Sequence, residues 1–106
     1  MAWTMLIAAG LLEVVWAFTM KQSEGFSKLW PSLITLAAMV ASFALLALAM
    51  RSLPLGTAYA IWTGIGAVGA FLVGIAVLGE SASALRVLAA LLIVSGLVLM
   101  KLSSDA

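Results

Sequence analysis

The sequence predicts an all-α integral membrane protein with four transmembrane helices per subunit, and three observations carry that prediction. Hydrophobic residues fill 66% of the 106 positions and charged residues only 8%, too few to clothe a water-facing surface. The apolar residues fall into runs of about 20, the length that crosses the hydrocarbon of a bilayer at roughly 1.5 Å of helical rise per residue. Four such runs with short breaks nearly exhaust the chain, so residues 1–106 read as a single transmembrane domain without a soluble partner domain. The absence of Cys and His excludes thiol chemistry, disulfides and a conventional zinc site, and no metal, other cofactor or catalytic set is expected. Five basic residues scattered among four acidic ones give a net charge of +1, which does not support nucleic-acid binding.

The first helix is predicted over about residues 2–20, ending where Lys21-Gln22-Ser23-Glu24-Gly25 breaks the apolar run. It reads as a membrane span and not as a cleaved signal peptide, because no Lys or Arg precedes it and a carboxylate lies within it. Pro31 suits a first helical turn, where its missing N–H removes no hydrogen bond, so the second helix is placed at about 31–50. Arg51 to Gly56 makes a short turn, and the third helix follows at about 57–78. Gly79-Glu80-Ser81 breaks the chain again before a fourth helix at about 84–101.

Breaks this short make neighbouring helices antiparallel, so both termini and the Arg51 turn share one membrane face. That face carries Arg51 and Lys101, while the opposite face carries Lys21, Lys28 and Arg86. Orientation normally follows a clear Lys/Arg bias, and a bias this weak predicts insertion both ways round. Copies of opposite orientation can pair as an antiparallel, dual-topology homodimer. Such a pair supplies from two chains the inverted symmetry that larger transporters carry within one. Four helices also leave little room for an enclosed aqueous site inside one subunit, so such a site is expected between subunits.

Glu13 lies in the middle of the first apolar run. An acidic residue at a helix centre costs roughly 2.5 to 3.5 kcal/mol on insertion scales, which marks it as a functional carboxylate. At helical spacing it shares a stripe with Leu6, Ala9, Gly10, Trp16, Ala17 and Met20, small residues on one side and the Trp16 ring on the other. The third helix aligns Tyr59, Trp62, Thr63, Gly66, Gly69 and Val73 on one face. Aromatic faces attract cations, and Tyr and Trp donate hydrogen bonds to carboxylates, so the two stripes together read as a cation site. Trp and Tyr also anchor helices at the membrane surface. Trp3 and Trp30 fit that role, Tyr59 fits either, and Trp62 lies too deep for it.

Gly64, Gly66, Gly69 and Gly74 thin the third helix, which suits close packing, a kink, or both. Ser42 is the mid-span polar residue of the second helix, and a lone Ser usually bonds back to its own helix backbone. The fourth helix offers no acidic or aromatic group; Ala89 and Gly96, seven residues apart, form a small-residue seam suited to dimer packing. Lys101 at its end is expected to reach the lipid headgroups.

Four segments resemble the small multidrug resistance family: Glu13-Val14-Val15-Trp16-Ala17, Ser23-Glu24-Gly25-Phe26, Trp30-Pro31-Ser32, and Gly56-Thr57-Ala58-Tyr59-Ala60-Ile61-Trp62-Thr63-Gly64-Ile65-Gly66. The resemblance covers essentially the whole chain. Trp16, Ser42 and Lys101 are similar to the guanidinium exporter subtype of that family. The resemblance implies an antiparallel homodimer in the inner (plasma) membrane that exports guanidinium and small guanidinyl cations in exchange for protons, by alternating access. It implies Glu13 of both copies as the shared substrate and proton site, lined by Gly10, Trp16, Ser42, Tyr59 and Trp62, with a bend of the third helix at Gly64 to Gly66. Ala89 departs from the glycine of better-known multidrug members at the dimer seam. Two alternatives stand beside this reading: a broader exporter of quaternary ammonium and other lipophilic cations, and a non-transporting assembly subunit in which Glu13 pairs with a partner's basic residue.

Overall fold

The computed structural model describes residues 1–103, so the last three positions of the 1–106 domain lie outside the described residues. It is all-helical, with α1 at Ala2–Gln22, α2 at Leu29–Ala49, α3 at Leu55–Ala76 and α4 at Ala84–Leu102. Each helix is long and apolar enough to cross a membrane.

The helix ends differ from the sequence-based boundaries for local reasons. α1 continues through Lys21 and Gln22 because Ser23 caps it: its N–H donates to the Thr19 carbonyl at 2.9 Å and its hydroxyl to the Met20 carbonyl at 2.7 Å. The same hydroxyl accepts from the Phe26 N–H at 3.0 Å, and Glu24, Gly25 and Phe26 all take positive φ to reverse the chain. α2 begins two residues before Pro31, which becomes its third residue. The first intrahelical bond there is donated by Ser32 to Lys28, so Pro31 still sits where an N–H has no intrahelical acceptor. α3 starts two residues early, with Ala58 N–H donating to the Pro54 carbonyl, and it stops before Leu78. Gly79, at φ +70°, turns the chain so that the Glu80 N–H returns to the Gly74 carbonyl at 2.9 Å. Ser83 caps α4 by accepting from the Arg86 N–H.

α1 packs against both α2 and α3, whereas α4 packs its backbone against α3 and reaches α1 through Lys101 over the Trp3 ring. The buried core gathers Leu6, Ala9, Leu46, Ala49, Ala58, Ile61 and Trp62 from the first three helices and Leu53 from the turn between α2 and α3, near the end of the bundle that holds the N-terminus. Toward the other end, α1 and α2 are joined by the buried hydroxyls of Thr19 and Thr35, 2.6 Å apart. α4 buries no residue. The fold is flattened, with extents of 43 × 34 × 16 Å.

Candidate cation site between α1, α2 and α3

The α1–α3 contact is built on residues without side chains. A Cβ at Gly10 would overlap Ile65, one at Gly69 would overlap Val14, and one at Gly66 would overlap the Glu13 carboxylate. Glu13 therefore lies directly on the α3 backbone at Gly66. Its Oε1 is buried and has no hydrogen-bond partner among the described residues. An acceptor held in that state is costly unless a proton, a cation or a donor from elsewhere meets it.

One turn along both helices, toward the N-terminal end of α1, lies a polar junction. Ser42 of α2 donates to the Ala9 carbonyl of α1 at 2.7 Å and accepts from the Trp62 indole N–H of α3 at 3.0 Å. Ser42 thus does not bond back to its own helix; its hydroxyl joins three helices while fully buried. Ala9 precedes Glu13 by four residues and Trp62 precedes Gly66 by four, so this junction and the carboxylate occupy successive layers about 6 Å apart on one seam.

Aromatic rings extend the junction sideways. Phe43 stands edge-on to Trp62 with centroids 5.6 Å apart and to Trp16 at 6.3 Å, and Tyr59 lies 5.6 Å from Trp62. Tyr59 is 52% exposed, which leaves its ring and hydroxyl open to another surface. The Trp16 indole N–H is buried without a hydrogen-bond partner among the described residues. Trp16, Ser42, Tyr59 and Trp62 thus fall into one cluster on the seam that carries Glu13.

Other residues singled out in the sequence sit differently. Gly10 meets Ile65 and is a packing surface, not an open lining. α3 runs as an unbroken α-helix through Gly64 and Gly66, where Leu97 of α4 and Glu13 fill the space that side chains would need. Ala89 is exposed, and nothing lies within 4 Å of a Cβ placed on Gly96, so the proposed seam on α4 is open in the single subunit. Sequence reasoning missed Phe43, although an aromatic at mid-span of α2 beside Ser42 was a readable signal. It also missed the Ala9 carbonyl, which no side-chain pattern reveals.

Comparison with known proteins adds the deciding observation: residues 1–104 match the family described as Small Multidrug Resistance protein. The chain belongs to the small multidrug resistance family. As a family member with four helices able to span, it is a multi-pass integral membrane protein. Within the small multidrug resistance family it is similar to a protein of Yersinia pseudotuberculosis serotype I (strain IP32953) named Guanidinium exporter, at 62% identity over 104 residues that cover 98% of this chain and 100% of that one. Proteins with the same name in Escherichia coli (strain K12) and Salmonella typhimurium are 60% identical over 104 residues, covering 98% of this chain and 99% of theirs.

Proposed function

We propose that this chain exports guanidinium and small guanidinyl cations in exchange for protons, as an antiparallel, dual-topology homodimer in the inner (plasma) membrane. The observation that carries the reading is the Glu13 carboxylate at mid-span, with one oxygen buried and without a partner among the described residues, beside the bare backbone of Gly66. The full-length similarity to proteins named Guanidinium exporter supplies the substrate class.

The mechanism follows from competition. Glu13 of each copy holds either a proton or a share of the cation, so loading one releases the other, and an inward proton gradient drives the cation outward. Two facing carboxylates interact, and their protons leave in steps that belong to the pair. Guanidinium is planar with N–H donors in a fixed fork and can bond both carboxylates at once, whereas a quaternary ammonium has no N–H to donate. Trp62, oriented by Ser42, and the rings of Tyr59 and Trp16 form a wall that attracts the cation through its quadrupoles and excludes water. Alternating access then moves α3, whose thinnest stretch is Gly64 to Gly66, against α1. No covalent step is involved, and the chain acts as a carrier and not as an enzyme.

Substrate competition in proteoliposomes tests the assignment. Guanidinium is expected to drive proton movement that excess tetraethylammonium inhibits poorly. Coupling to tetraethylammonium in preference to guanidinium would replace this reading with a multidrug exporter, and coupling to neither in folded dimers would favour the non-transporting assembly subunit.

A further inference from the structure

The backbones of α1 and α4 stay apart, their side chains meeting at Trp3 and Lys101, and the gap between them over α3 is a groove of about 270 Å³ at the end of the bundle that holds the N-terminus. Ile7 of α1, Ile61 and Ile65 of α3 and Leu97 of α4 line it, and Trp3 and Lys101 close its mouth. Trp3 stands in the first turn of α1 and Lys101 in the last turn of α4, so the mouth lies at headgroup level and the apolar floor one turn deeper.

We infer that this groove holds one anionic phospholipid, with an acyl chain on the isoleucine floor and the phosphate on the Lys101 ammonium. Three observations select this occupant. Lys101 Nζ lies 4.5 Å from the centroid of the Trp3 ring, which fixes the ammonium at the mouth of the groove. The Trp3 ring borders the groove beneath that ammonium, the kind of aromatic body that settles at headgroup level. Lys101 is the one charged residue among the described residues that line the groove, a sign that attracts a phosphate and repels organic cations. An unfilled groove in a bilayer forfeits the dispersion contacts of its walls, and an acyl chain restores them. The inference concerns a surface separate from Glu13 and stands whether or not guanidinium is the substrate.

The test uses the full-length protein in phosphatidylcholine vesicles titrated with lipid brominated on its acyl chains, either phosphatidylglycerol or phosphatidylcholine, with tryptophan fluorescence as the readout. Brominated phosphatidylglycerol should reach half-quenching at a mole fraction about fivefold lower than brominated phosphatidylcholine. The preference should fall to about one in Lys101→Gln and persist in Lys28→Gln, whose lysine lies in the exposed loop at the other end of α1. Equal quenching by both lipids in the unaltered protein, or an unchanged preference in Lys101→Gln, overturns the inference. So does efficient cross-linking between two copies through Val98→Cys, a groove-lining position, since a second copy would then fill the site.

Discussion

Ser42 uses its hydroxyl twice, donating to the Ala9 carbonyl and accepting from the Trp62 indole, and both bonds cross between helices in a fully buried setting. Replacing it with Ala leaves the Trp62 N–H without its acceptor where no water can compensate. The Ser42→Ala protein is therefore expected to lose about 1–2 kcal/mol, measured by reversible unfolding in mixed micelles, and to show shifted Trp62 emission. A change within 0.5 kcal/mol, about the spread of an uninvolved surface substitution, would mean that the junction does not hold the helices. Glu13 differs from Ser42 in how visible it is before any fold is known. A carboxylate in an apolar run declares itself, because its insertion cost demands a reason. The partners of Ser42 depend on how α2 is rotated against α1 and α3, and a one-helix pattern holds no such information. Gly10 shows the same limit: its place in the Glu13 stripe was legible, but its contact with Ile65 was not.

α4 is the element whose role a single subunit leaves open, since its backbone packs only on α3 and it buries no residue. A Cβ on Gly96 meets nothing within 4 Å, so a larger residue there disturbs no contact inside the subunit. Gly96→Ile should keep its helical content by circular dichroism while dimers in liposomes, followed by energy transfer between labelled copies, fall at least several-fold. Unchanged dimerisation would remove Gly96 from the interface. All four helices were readable from their lengths and breaks, and the misplaced ends have one cause. Apolar runs end where lipid ends, but helices end where capping bonds form, as Ser23 extends α1 and Gly79 stops α3. The inward faces were harder to read: each span is apolar nearly all round, so periodicity separates lipid-facing from core residues poorly. α3 is the exception, because its glycines mark where α1 and α4 come close.

At the scale of the whole molecule, the flattened subunit leaves the exposed face of Tyr59 and the seam of α4 at Gly96 open to a second surface. In the proposed antiparallel dimer a second copy inserted the other way round would supply it, and the near balance of Lys21, Lys28 and Arg86 against Arg51 and Lys101 is compatible with both insertions. Placing Lys at the exposed positions Gln22 and Ser81, on the face that already carries Lys21, Lys28 and Arg86, should drive the chain into one orientation and abolish transport. Transport should return on co-expression with a variant biased the opposite way; full activity of the single-orientation protein would rule out the antiparallel dimer. The central claim, that Glu13 exchanges protons for cations, is tested most directly by guanidinium-driven proton movement in liposomes containing the purified protein, beside Glu13→Gln. The account predicts robust coupling that the substitution eliminates while the dimer stays folded, and coupling that survives in Glu13→Gln would contradict it.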